Sequence, residues 1–398
     1  MNKKTVADID VKGKRALVRV DFNVPLADGK VSDDARIRAA LPTIRALLDR
    51  GSVVILMSHL GRPDGKVVEK LRLAPVGEVL STLLGRPVRT LSDCTGPEVE
   101  ASCREAKPGD VLLLENLRFH PEEEKNDPSF AGALASLGDI FVNDAFGTAH
   151  RAHASTEGVT RYLPSVAGFL MQKEMEALGK ALESPERPFA AVLGGAKVSD
   201  KIGVIRNLLG KVDVLMIGGG MAFTFLKAKG YEIGTSLLDE KHLEEVKGIL
   251  AASGKVGIHL PLDVVITQEV TKNTQFQVVD AGAMLPGWKG VDIGPRTCVA
   301  FEQVLGRAKT IVWNGPMGVF EIPEFAKGTE TVARAIAESS STSIVGGGES
   351  AQAVEQLGLS PKITHVSTGG GASLEFLEGR VLPGVAALLD KTSAPVAP

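Results

Sequence analysis

"SIVGGGESAQAV", residues 343–354, is the stretch from which the fold can be read. An apolar run ends on Gly346, Gly347 and Gly348, and the residues after these glycines have the pattern of a helix start. A strand that breaks into glycine and resumes as a helix is the junction of a βαβ unit. Bare amides at such a turn, together with the helix dipole, make a ready site for an anion. Glu349, itself an anion, stands in that turn and is followed by Ser350. Two readings account for it. An acidic residue in a first helical turn favours the dipole without any ligand. Alternatively, its carboxylate contributes to a magnesium ion placed between it and a phosphate, with Ser350 bonding a phosphate oxygen.

Outward from this junction the same grammar recurs in both directions. In the first half, "RALVRVDFN", "SVVILMSHLGR", "DVLLLENLRF" and "DIFVNDAFG" are Val/Ile/Leu-rich and break into polar residues. In the second half, "FAAVLGGAK", "DVLMIGGGM", "IHLPLDVVI", "KTIVWNGPMG", "SIVGGGES" and "THVSTGGGAS" break mostly into glycine. Apolar runs alternating with helical patterns predict parallel sheets covered on both faces. The chain therefore reads as an α/β protein of two lobes, each a Rossmann-like parallel sheet flanked by helices. Ligands of such sheets sit beyond the carboxyl ends of the strands. One binding edge would carry Arg36, His59, Arg62, Arg118 and Arg151, and the other bare backbone with Lys197 and Lys201.

Between the halves, Leu170, Met175, Leu178 and Leu182 share one helical face, and Pro185 and Pro188 close the helix. The predicted division is an N-terminal domain over 1–170, a connecting helix and hinge over 171–185, and a C-terminal domain over 186–380. "KTSAPVAP" at the end reads as a loose tail.

Composition narrows the function classes. With 398 residues the chain is long enough for two domains with real cores. It is 44% hydrophobic and 23% charged with a net charge of −3, which gives no reason to expect nucleic acid or a membrane surface as partner. Cys94, Cys103 and Cys298 show no CxxC spacing and cannot all pair, so a reducing compartment is the simpler reading. The basic start has no apolar stretch behind it, as a secretory signal would, and no run approaches a membrane span. The expected location is the cytoplasm.

Several suggestive motifs are incomplete. "GRPDGKV", residues 61–67, is one residue short of a Walker A loop and has Val67 where Ser or Thr should stand. "GGGMAF" from Gly218 fails GxGxxG at its last position, and "HRAH" (His150, His153) has no third metal ligand nearby in sequence. "PEEEKND" is most simply a solvated loop. No GxSxG elbow occurs.

Taken together, "VRVDFNVPL", "SHLGRP", "LENLRFHPEEEKND", "NDAFGTAHRAHAS", "LGGAKVSDKI", "IGGGMAFTFL", "WNGPMGVFE", "GGGES" and "STGGGASLE" resemble the phosphoglycerate kinase family, from about Val11 to Gly379. The resemblance implies an N-terminal lobe for 3-phosphoglycerate or 1,3-bisphosphoglycerate and a C-terminal lobe for magnesium-bound ATP or ADP. It also implies a closing hinge, a tail (381–398) that packs back on the first lobe, and a monomer. Carried over by motif, Asp21 and Asn23 would bind the hydroxyl and carboxylate of the acid, within the patch of Arg36, His59, Arg62, Arg118 and Arg151. Lys201 and Asn314 resemble nucleotide-phosphate contacts, Glu321 the ribose contact, and Gly218, Gly219 and Gly294 the walls of the adenine pocket. Gly347, Gly348, Glu349 and Ser350 belong to the nucleotide edge, with Glu349 as the magnesium ligand. Gly369 and Gly370 match the glycines facing the transferring phosphoryl group. At one position the chain departs from the family pattern, which carries Asp where Glu349 stands.

The implied chemistry is phosphoryl transfer between ATP and a carboxylate, with Arg36 and Lys197 as the charge-stabilising pair. Its transition state is loose and highly charged, so positioning and electrostatics carry the catalysis. A carboxylate acceptor of pKa roughly 3.5 is already ionised at neutral pH and needs no general base. The alternative is a two-domain NAD-dependent dehydrogenase, which would want a full GxGxxG with an acidic residue about twenty positions on.

Overall fold

The computed structural model describes residues 2–392, which divide into two compact units, one of residues up to Glu176 together with the segment from Val381, the other Ala177–Arg380. The boundary falls inside one helix, Phe169–Glu183, two residues earlier at each end than the 171–185 predicted for it.

In the first unit six strands form one parallel sheet in the order Arg89–Thr90, Val111–Leu113, Val53–Met57, Arg15–Arg19, Ile140–Asn143, Ser165–Ala167. The four inner strands are the four runs read from sequence; the edge strands at Arg89 and Ser165 were not among them. All five residues of Val53–Met57 are buried, as a sheet covered on both faces requires. Successive strands leave the Arg15 strand first to one side and then to the other, so the order reverses there. That reversal is where open α/β sheets keep their ligand crevice.

The segment from Val381 is anchored on this unit by backbone pairing. The Lys4 amide donates to Leu389 O (2.7 Å), the Leu389 amide to Ser165 O (3.0 Å), and the Gly384 amide to Ala149 O (2.9 Å). Lys3 closes the contact by an ion pair with Asp390 at 2.9 Å. Residues 393–398 of the predicted tail lie outside the described residues.

The second unit repeats the architecture, with parallel strands in the order Gly257–His259, Val214–Ile217, Phe189–Leu193, Thr310–Asn314, Thr342–Gly346, His365–Val366. Here the order reverses between Phe189–Leu193 and Thr310–Asn314. The run "IHLPLDVVI", read as one strand of this sheet, is split. Gly257–His259 joins the parallel sheet, while Asp263–Thr267 pairs antiparallel with Phe276–Asp280 and Lys289–Ile293 in a separate three-stranded sheet. Pro261 lies between the two pieces, where a missing N–H interrupts the ladder. Among the described residues no helix is long and apolar enough to cross a membrane, and the three cysteines are unpaired.

Candidate functional site

The polar breaks of the first unit converge on the carboxyl edge of its sheet. Asp21 and Asn23 follow the Arg15 strand, His59 and Arg62 the Val53 strand, Arg118 the Val111 strand and Arg151 the Ile140 strand, while Arg36 sits in the first turn of helix Ala35–Asp49. Four of them, Asp21, Asn23, Arg36 and Arg118, are held by bonds to one another or through Gly61. Arg36 Nη1 donates to Asp21 Oδ2 at 2.8 Å, using one of the guanidinium's five donors. The Gly61 amide donates to Asn23 Oδ1 at 2.8 Å, and Arg118 Nη1 donates to Gly61 O at 3.0 Å. Arg118 also pairs with Glu124 at 3.3 Å. Arg62 is exposed, and Arg151 Nε donates to His150 Nε2 at 3.2 Å.

Beneath this patch lie residues that the sequence reading did not single out. Asn116, fully buried, donates through Nδ2 to Leu60 O (2.7 Å) and Leu71 O (2.9 Å) and accepts at Oδ1 from the Leu60 and Arg118 amides (both 3.1 Å). It thereby clasps the His59–Arg62 loop to the turn carrying Arg118. Arg19, Ser155 and Glu123 are fully buried as well. Arg19 Nε donates to Ser155 Oγ (2.7 Å), and Ser155 Oγ donates to Glu123 Oε1 (2.5 Å). The only available sequence signal was a charged residue inside an apolar run, "RALVRV".

The patch is cationic through its arginines and not through its histidines. Burial, then the positive charges of Arg19, Arg118 and Arg36, push the His59 imidazole well below its ordinary range. Burial followed by Arg19 and Arg118 brings His153 down to about 3. Both rings are neutral at pH 7. Nor do His150 and His153 form part of a metal-type cluster. Among the described residues the one such group is Asp93, Cys94 and His120, where His120 Nε2 already lies 2.7 Å from Asp93 Oδ1.

In the second unit the glycine breaks surround a cavity of about 280 Å³ lined by Lys201, Asn314, Gly315, Gly347, Gly348, Glu349, Ser350, Gly370, Gly371 and Leu374. The strand ending at Gly346 does run into a helix, Gly348–Gln356, as its sequence predicts. Gly347 (φ +91°) and Gly370 (φ +50°) cap the helices that open onto this cavity, in a backbone region that side chains avoid. Lys201 Nζ bonds Asn314 Oδ1, and burial lowers the lysine's pKa against the opposing pull of Glu349. Ser350 Oγ accepts from the Gly315 amide at 2.7 Å and holds the turn that follows strand Thr310–Asn314. Glu349 is exposed on the cavity wall. One carboxylate, facing space that phosphate oxygens and water could fill, is a hard-oxygen donor set that fits magnesium.

Lys197 lines a second, larger cavity of about 590 Å³ with Ala196, Ser199, Leu237, Leu238, Asp239 and others. Gly218, Gly219, Gly294, Glu321 and Gly369 line neither cavity. Gly218 and Gly219 donate to Leu193 O (2.9 Å) and Met317 O (3.0 Å), packing strand ends together. Gly294 caps helix Pro295–Leu305, whose first amides are taken by Asp263: Arg296 at 3.0 Å and Thr297 at 2.8 Å. Glu321 is exposed in the turn after strand Thr310–Asn314, and the Gly369 amide donates to Ser367 Oγ at 3.1 Å.

The family model "Phosphoglycerate kinase" matches residues 6–380. The chain belongs to the phosphoglycerate kinase family. The phosphoglycerate kinase of Moorella thermoacetica is 62% identical over 393 residues, covering 98% of this chain and all of the relative. That of Roseiflexus sp. (strain RS-1) is 60% identical over 394 residues with the same coverage. The solved structure of phosphoglycerate kinase from Coxiella burnetii superposes with a TM-score of 0.88 at 41% identity, covering 97% of this chain and 98% of that one. The enzyme from Pyrococcus horikoshii OT3 does so with a TM-score of 0.85 at 36% identity and the same coverage. Phosphoglycerate kinase membership makes the chain a phosphotransferase with a carboxyl group as acceptor, and it disfavours the dehydrogenase alternative.

Proposed function

We propose that the first unit's patch binds 3-phosphoglycerate or 1,3-bisphosphoglycerate and that the second unit's glycine-lined cavity takes the phosphates of magnesium ATP or ADP. The observation that carries the reading is the composition of that cavity. A half-buried lysine, an amide side chain, two helix starts and one carboxylate meet around space for a polyphosphate. When bound, magnesium would supply charge neutralisation at the phosphate oxygens, and Glu349 would hold it.

In this reading the patch orients the acid through Asp21 and Asn23, while Arg62, Arg118 and Arg151 neutralise its phosphate. Arg36 and Lys197 stabilise the charge on the transferring group, the arginine by a forked contact and the lysine as a point charge. No side chain takes a proton, because the attacking carboxylate is ionised already. The reading includes the closing hinge that the resemblance implies, since closure excludes the water that would hydrolyse an acyl phosphate. The same reading has the enzyme acting as a monomer in the cytoplasm.

The test is formation of ATP from ADP and 1,3-bisphosphoglycerate by the purified chain, with and without magnesium. Magnesium-dependent turnover is the expected result. Turnover unaffected by chelation would overturn the assignment of Glu349, and ADP binding that survives Lys201→Ala unchanged would overturn that of the cavity.

A further inference from the structure

The phosphoryl transfer proposed for this chain assigns no role to the buried group behind the patch. Arg19 is fully buried, yet its guanidinium is held on three sides. Nη1 donates to Val20 O (2.6 Å), Nε to Ser155 Oγ (2.7 Å), and Nη2 lies 3.3 Å from His59 Nδ1. A guanidinium is always charged and has donors but no acceptor. Ser155, already accepting from Arg19, directs its hydroxyl at Glu123 Oε1 (2.5 Å) and its amide at Oε2 (3.0 Å). The chain of bonds therefore runs one way, from cation through hydroxyl to buried carboxylate. Glu123 balances the Arg19 charge internally.

We propose that Arg19 is a positioning residue: by donating to His59 Nδ1 it fixes the imidazole as the Nε2–H tautomer, so that His59 presents an uncharged, directed N–H donor. A neutral imidazole carries one proton, and a nitrogen that must accept from arginine cannot hold it. The cations facing the ring, Arg19, Arg36 and Arg118, with His153 beside them, oppose a second proton on it. Charge for binding an anion then comes from the arginines of the patch, and His59 adds direction. The link to catalysis rests on the reading that His59 contacts the acid substrate.

The test uses the full chain labelled with ¹⁵N. Long-range proton–nitrogen spectra distinguish the two imidazole nitrogens, with His59 assigned through a His59→Asn variant. A lone-pair Nδ1 and a protonated Nε2, unchanged from about pH 5.5 to 8, are expected. In the double variant Arg19→Met, Glu123→Gln, which avoids stranding a buried carboxylate, His59 should show mixed tautomers. Its KM for 3-phosphoglycerate should rise about tenfold, the equivalent of one hydrogen bond, with KM for ATP unchanged. A protonated Nδ1 in the parent overturns the proposal, as does a parental His59 signature in the double variant. If the double variant does not fold, the parent spectrum still decides the tautomer, and Ser155→Ala should broaden it towards a mixture. If His59→Asn leaves KM for 3-phosphoglycerate untouched, His59 leaves the substrate site and only Arg19's control of the tautomer stands.

Discussion

Replacing Asn116 by alanine tests whether the patch is built by its underlying polar clasp or by the loops themselves. The side chain makes four hydrogen bonds of 2.7–3.1 Å, all to main-chain groups of Leu60, Leu71 and Arg118. At about 1 kcal/mol each, their loss should destabilise the first unit by about 4 kcal/mol. That is a large part of the 5–15 kcal/mol or so that a domain has in hand, so the variant should fold when cold and melt early. A urea m-value of about 2 kcal/mol/M converts this into a midpoint shift of about 2 M.

The two units can be watched separately, because both tryptophans, Trp288 and Trp313, lie in the second. Far-ultraviolet circular dichroism reports both units, while tryptophan fluorescence reports the second alone. We expect Asn116→Ala to move an early dichroism transition and leave the fluorescence transition in place. KM for 3-phosphoglycerate should rise at constant KM for ATP. A shift below about 0.5 M would refute the additive reckoning of the four bonds, and a matched shift in fluorescence would refute the independence of the units.

Burial raises the carboxyl of Asp144 to about 6, although Oδ1 accepts from the Leu170 (2.9 Å) and Met171 (3.2 Å) amides that start helix Phe169–Glu183. The folded chain then holds this proton more tightly than the unfolded chain. The contribution is complete below the unfolded value and is lost as pH climbs through about 6, by about 3 kcal/mol at most. Asp144→Asn should flatten that slope between about pH 4 and 6 in thermal melts; an unchanged slope would reject the assignment. Arg36→Ala and Lys197→Ala should each lower kcat by at least about a hundredfold while ADP affinity, followed by calorimetry, stays within about threefold. Near-normal turnover in either would remove that residue from the charge-stabilising pair. Glu349→Asp should preserve the magnesium requirement in a metal titration, and abolished activity would show that the longer side chain is matched to its surroundings.

The resemblance already pointed to the family, and the comparisons established it. The residues themselves made the strands legible, because a strand buried on both faces must be an unbroken apolar run and its end must be marked by residues that run cannot contain. Val53–Met57 and Phe189–Leu193 were readable for that reason. So were the residues placed just beyond the strands, since chain connectivity alone puts His59 and Glu349 at strand ends. The split of "IHLPLDVVI" was not readable, because an apolar run does not say which sheet it will pair with.

Tertiary structure alone decided which polar residues are buried and with whom. Arg19, Glu123 and Ser155 are more than a hundred residues apart at the extremes, and nothing local to any of them names its partners. Asn116 sits just before the predicted Arg118 contact in a quoted motif, but only the fold shows that its amide spans two loops. Hydrogen bonds are short-ranged and directional, so a satisfied buried network exists only once distant segments have met. The sequence by itself determined where the chemistry-bearing groups stand along the chain, and the packed fold decided which are charged, which are neutral and which hold the others in place.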